Sequence, residues 1–134
     1  MGKFSRDKGA TGEREFIQLV DKLTHGQIQL KRNLDQCREG GDDFLGHDQF
    51  SIEVKRWRRF KDRDITDCWT QAANNAGRLN KLPVLAWRPD YQCWRVMIHP
   101  QLHFPLNDVR GCFSMDIELF CHLLTHPDFM KVKP

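Results

Sequence analysis

The sequence predicts an α/β domain, and three observations carry that prediction. Apolar residues recur at helical spacing in two separate stretches, five short runs have the alternation or apolar density of strands, and the elements follow the order helix, three strands, helix, two strands. With 134 residues and 40% hydrophobic content, the chain suffices for one core and is short for two. A single domain over residues 1–134 is expected.

The first helix rests on Phe16, Leu19, Val20 and Leu23, which place it over about 11–24, with Gly26 as its stop. Residues 27–32 alternate through Ile28 and Leu30 and read as a strand; NLDQCREGG is loop-like. DDFLG gives a second short strand entering a turn at Gly46, His47 and Asp48, and residues 49–56 give a third. From Ile65 to Leu79 a stripe of Trp69, Ala72, Ala73 and Ala76 predicts the second helix. Pro83 restarts the chain into an apolar strand over 84–87, Pro89 and Asp90 turn it, and residues 93–98 return as the last strand. The final third begins proline-broken and then predicts a short helix over about 114–124.

Composition excludes several function classes. No run is apolar for long enough to span a bilayer, the start MGKFSRDKGA lacks the apolar core of a signal peptide, and Arg6 breaks a myristoylation pattern. A soluble, intracellular protein without membrane partners, cytoplasmic in location, is expected. Cys37, Cys68, Cys93, Cys112 and Cys121 are odd in number and never form a C-x-x-C pair, which speaks against a disulfide framework and a zinc ribbon. His99, His103, Cys121, His122 and His126 lack the companion glutamate or second cysteine that zinc motifs carry.

The net charge of +3 is unevenly distributed. Up to Arg63 there are 14 Lys and Arg against 11 Asp and Glu, and beyond it 7 against 7. The densest part, Lys55, Arg56, Arg58, Arg59, Lys61 and Arg63, is interleaved with Trp57 and Phe60. Such a run is often only a solvated face. Arginines beside aromatics also suit a phosphate backbone and unstacked bases, which makes nucleic acid the leading partner class. Crowded like charges with little apolar material predict a loop over 56–63 without firm anchors.

Within SIEVKRWRRF, the period of two puts Phe50, Ile52 and Val54 on one face and Ser51, Glu53 and Lys55 on the other. An isolated E-x-K is usually a surface ion pair of little consequence. Phosphodiester hydrolysis with magnesium, however, needs carboxylates that hold a hard cation and a positive group that orients water or stabilises developing charge. Glu53 and Lys55 supply one of each. Asp43 offers a second carboxylate on the preceding strand, expected to be an antiparallel neighbour, or serves only the turn. Glu13 lies three residues before Phe16 on the inward side of the first helix, although it and Glu15 could simply complement a helix dipole.

KGATGEREF, GDDFLG and SIEVK, placed in this order on such a chain, resemble the PD-(D/E)XK nuclease superfamily, and most closely its archaeal-type Holliday junction resolvases, which also occur in phages. The resemblance covers about Lys8 to Ile98. It implies a restriction-endonuclease-like core (α-β-β-β-α-β), a central mixed sheet flanked by helices, and leaves 99–134 as a C-terminal extension. It further implies that Glu13, Asp43 and Glu53 bind or assist Mg, with Mn as a substitute, that the backbone carbonyl of Val54 is a ligand, and that Lys55 positions the attacking water or stabilises the scissile phosphate. Asp42 exchanges roles with Asp43 if the register shifts by one. Arg14 would touch DNA, joined by Lys8, Arg32, Arg38, Arg56, Arg58, Arg59, Lys61 and Arg63, and Gln71 would either brace the site or lie on the surface. The implied activity is endonucleolytic cleavage of branched DNA by a homodimer. A less selective endonuclease, a catalytically silent nucleic-acid-binding module and a protein-interaction domain remain as alternatives. Trp69, Trp87, Trp94, Phe104, Phe113 and Phe120 look like more aromatic area than one small core absorbs, which suggests a dimer contact.

Overall fold

The computed structural model describes residues 3–32, 44–45, 49–100 and 105–126. Asp43, Asp42 and Arg38 lie outside the described residues, as do Cys37, His103 and Phe104.

Helix α1 spans Lys3–Leu23 and so begins well before the apolar periodicity does. Gly9, upstream of the expected start, gives that stretch the look of a loop. Gly12 sits inside the helix, where a Cβ would lie 2.5 Å from the Cβ of Arg56, closer than carbons approach. At the other end, His25 and Gly26 take positive φ, and Gly26 N–H donates to the Asp21 carbonyl at 2.8 Å, which closes the helix where Gly26 predicts a stop.

Strands β1 (Lys31–Arg32) and β2 (Phe44–Leu45) pair antiparallel, with Arg32 opposite Phe44. Two expectations are corrected here. The first strand is confined to the end of 27–32, and among the described residues β2 is hydrogen-bonded to β1, not to the strand that follows it.

Strand β3 (Phe50–Arg56), helix α2 (Asp62–Leu79) and strand β4 (Leu82–Arg88) form a parallel crossover, with Glu53 opposite Leu85 and Lys55 opposite Trp87. Strands β5 (Arg95–Ile98) and β6 (Phe113–Asp116) add antiparallel, giving a mixed sheet in the order β3-β4-β5-β6. Helix α3 (Ile117–Leu124) follows directly. The expected helix from Ser114 is thus shortened: Phe113–Asp116 pairs with β5, and Asp116 caps α3 by accepting from Leu119 N–H at 2.8 Å.

Helices α1 and α3 cover one face of the sheet. Phe16, Val20, Phe120 and Leu124 meet Ile52, Val54, Val84 and Val96 there. Helix α2 covers the other, where Cys68 and Trp69 meet Leu85. Both faces of β3 are therefore buried, so its polar side, Ser51 and Glu53, lies under a helix and not against water. The aromatic surplus is mostly absorbed as well: Trp69, Trp94 and Phe120 are buried and Trp87 half-buried, leaving Phe113 at 49% exposure. No helix among the described residues is long and apolar enough to cross a membrane.

Candidate active site

Glu53 is only 3% exposed, an expensive place for a carboxylate unless something holds it. Its Oε1 accepts from Asn75 Nδ2 at 2.7 Å, and its Oε2 lies 3.9 Å from Lys55 Nζ. Arg78, three residues on, donates from Nη2 to Asn75 Oδ1, which fixes the amide with its NH₂ toward the carboxylate. The acid and the base of SIEVK thus share one face, as the strand period requires. The brace, however, comes from Asn75 and not from Gln71, which is exposed. An open groove of about 940 Å³ runs along α2, lined by Thr70, Gln71, Asn74, Asn75, Arg78 and Asn107, so Asn75 joins the groove to the buried carboxylate.

Cys68 also borders this group. Burial pushes its thiol up, against the pull of Lys55, with Asp64, Asp67 and Glu53 adding to the rise, so the sulfur stays a neutral packing group. Cys112 and Cys121 are pushed up by burial too, to about 12 and about 11, and the described cysteines form no disulfide.

Glu13 approaches from the α1 side of β3. Gly12 lets the helix press against Arg56 at the end of that strand, and the next residue, Glu13, accepts from Arg32 Nε at 2.7 Å. Because α1 begins at Lys3, neither Glu13 nor Glu15 lies in the first turn, and the helix-dipole role falls away for both. Glu15 instead ties α1 to the sheet, its Oε1 accepting from Arg88 Nη1 and Trp94 Nε1 at 2.8 Å each. Arg32 in turn stands opposite Phe44, the chain neighbour of Asp43. The structure therefore joins Glu53, Lys55 and Asn75 in one group and Glu13 and Arg32 in a second. Among the described residues no group of three or more His, Cys, Asp or Glu comes together as a metal site.

The basic residues divide by engagement. Arg56 Nη1 donates to Asp90 Oδ1 at 2.6 Å and to the carbonyls of Trp57 and Arg88 at 3.1 and 3.3 Å, while Lys8 reaches the same Asp90 oxygen at 2.7 Å. Hydrogen bonds from Lys8 and then Arg56 hold the Asp90 carboxyl below the usual range. Arg14, Arg58, Arg59, Lys61 and Arg63 are exposed. The turn after β3 is better anchored than its charge suggests: Asp90 N–H donates to the Arg58 carbonyl at 3.0 Å, and Trp57 stacks on Phe60 at 4.7 Å with the rings 6° from parallel.

No family model matches the chain, and no curated protein matches it. Among solved structures it is similar to Hjc, a Holliday junction resolvase from the archaeal hyperthermophile Archaeoglobus fulgidus, at a TM-score of 0.47 and 16% identity, over 84% of this chain and 87% of that one. The chemistry of the site rests on its own geometry.

Asn75 and Gly12 are the residues that sequence reasoning missed. A signal for Asn75 exists: it flanks the stripe of Ala72 and Ala76, whereas Gln71 lies about 40° further round the helix. Gly12 had none, since its partner Arg56 is a long-range neighbour.

Proposed function

We propose that this chain is a metal-dependent DNA endonuclease of the PD-(D/E)XK type, hydrolysing phosphodiester bonds in branched DNA as a homodimer. The observation that carries the reading is Glu53, a carboxylate buried under α2 and held by Asn75, with Lys55 on the same face at 3.9 Å. A surface ion pair does not need burial, whereas this carboxylate is buried and held by a dedicated donor, an arrangement that suits a group with a task.

The donor chemistry suits a hard divalent cation. One hydrogen bond leaves most of the acceptor capacity of the Glu53 carboxylate open, and oxygen donors from Asp43, Glu13 through water and the Val54 carbonyl would complete the set. Mg, with Mn as substitute, would supply charge stabilisation and a more acidic water. Asn75 fixes the rotamer of Glu53, and Lys55 presents an ammonium group to the attacking water or the scissile phosphate. Arg32 holds Glu13 on the α1 side, where the two form a group of their own. Arg14, Arg58, Arg59, Lys61 and Arg63 offer cations to the phosphate backbone, which Lys8, Arg32 and Arg56 serve less directly because each is ion-paired.

Resolution of a four-way junction takes two symmetric cuts, and one chain has one copy of the motif set, so a two-fold dimer supplies two sites. With most of the described aromatics internal, β6, the edge strand among the described residues, and its exposed Phe113 are a candidate for that contact. A cleavage panel of linear duplex, flap and four-way junction in Mg tests the reading. Preferential junction cleavage supports the resolvase, equal cleavage leaves a less selective endonuclease, and binding without cleavage leaves a silent module.

A further inference from the structure

The turn that follows Lys55 carries two aromatic rings that the catalytic reading does not use. Trp57 and Phe60 stack at 4.7 Å and 6°, Phe60 is half-buried, and Trp57 remains 40% exposed. The pair is held in place before any ligand arrives. Arg56 Nη1 grips the Trp57 carbonyl at 3.1 Å, Asp90 N–H grips the Arg58 carbonyl at 3.0 Å, and α2 begins at Asp62. Exposed Arg58, Arg59, Lys61 and Arg63 neighbour it along the chain.

We infer that the Trp57–Phe60 stack is a docking platform for an unpaired nucleobase, placed next to the nucleotide whose phosphate Glu53 and Lys55 serve. An exposed indole backed by a parallel ring offers a fixed π-face, the neighbouring cations match a phosphate backbone, and rigidity lowers the ordering cost of binding. Trp57 lies two residues beyond Lys55, roughly 7 Å of extended chain, or about two nucleotides of a stacked strand. A continuous duplex keeps its bases stacked on each other and has no free face to offer Trp57. The preferred substrate is therefore DNA with a splayed or unpaired base at the cut, such as a junction point or a single-stranded branch. The placement of the cut rests on the nuclease reading; base stacking on Trp57 does not.

Binding is measured in EDTA, so that no cleavage intervenes, by fluorescence anisotropy with labelled oligodeoxythymidine, a duplex of equal length, and an abasic strand. Trp57→Ala is expected to weaken binding to oligodeoxythymidine about 10- to 100-fold and to the duplex less than about 2-fold. Trp57→Phe should retain most of the affinity, and on the abasic strand Trp57→Ala should have no effect. An unchanged affinity for oligodeoxythymidine, an equal loss on duplex, or an equal loss on the abasic strand overturns the inference and leaves the pair as a support for α2. A wild-type chain that stacks bases through Trp57 but cuts no DNA in Mg refutes the nuclease reading and leaves the platform standing.

Discussion

Removal of the Asn75 side chain isolates the contact on which the site depends. In Asn75→Ala the Glu53 carboxylate, 3% exposed, loses the donor at 2.7 Å and among the described residues keeps Lys55 at 3.9 Å, which is beyond hydrogen-bond distance. Hydrogen bonds to charged groups contribute about 1.5–3 kcal/mol, and an acceptor left buried bears the desolvation penalty, so a loss of about 2 kcal/mol is expected. The Arg78 contact to Asn75 is exposed and adds little. Urea unfolding followed by far-UV circular dichroism measures the cost, and the same substitution in a Glu53→Leu background separates the pair from the helix. There the cost should fall below about 0.5 kcal/mol, giving a coupling of roughly 1.5 kcal/mol. An equal cost in both backgrounds would refute the reasoning and make Asn75 an ordinary groove residue. Cleavage by Asn75→Ala should fall about 10- to 100-fold with DNA affinity unchanged, as expected when a catalytic group loses its orientation.

Three further outcomes are expected. Gly9→Ala meets nothing within 4 Å and should stabilise by about 0.5–1 kcal/mol through helix propensity, whereas Gly12→Ala meets Arg56 Cβ at 2.5 Å and should destabilise by about 1–2 kcal/mol; urea midpoints of opposite sign check this. Because its folded pKa is depressed, Asp90 contributes stability that is present above its ordinary value of 3.8 and lost as pH falls through the lower folded value. The gap between wild type and Asp90→Asn should accordingly be full at neutral pH and close in strong acid, and a gap independent of pH contradicts the pairing. Neutralising Arg58, Arg59 and Lys61 together should weaken binding to every DNA and reduce the slope of log K against log salt by about 2–3, which a salt titration reads directly.

The element order through Ile98 was legible because each element announces itself locally: the stripe of Trp69, Ala72 and Ala76 for α2, the alternation around Glu53 for β3, Gly26 for the end of α1. What escaped depends on contacts distant in sequence. The stretch SMDIELF fits a helix locally, and only the pairing of β6 with β5 turns its start into a strand. Why a glycine stands at position 12, inside the expected helix, is visible only once Arg56 is placed against it. The alternation of β3 implies a wet polar face, yet α2 covers it, and a buried Glu53 is visible only once that crossover is known. Glu53 and Lys55 were legible as a pair because two residues on a strand share a face whatever lies above them. Their partner Asn75 was not, because a helix residue's role depends on which strand lies beneath it.

The central claim is tested most directly by one assay: cleavage of a labelled four-way junction in Mg by wild type and Glu53→Gln, with binding to the same junction measured in EDTA. The account predicts cleavage by wild type, none by Glu53→Gln, and affinities within about threefold of each other, because the substitution leaves the basic surface intact. Cleavage by Glu53→Gln at a rate near wild type would contradict it.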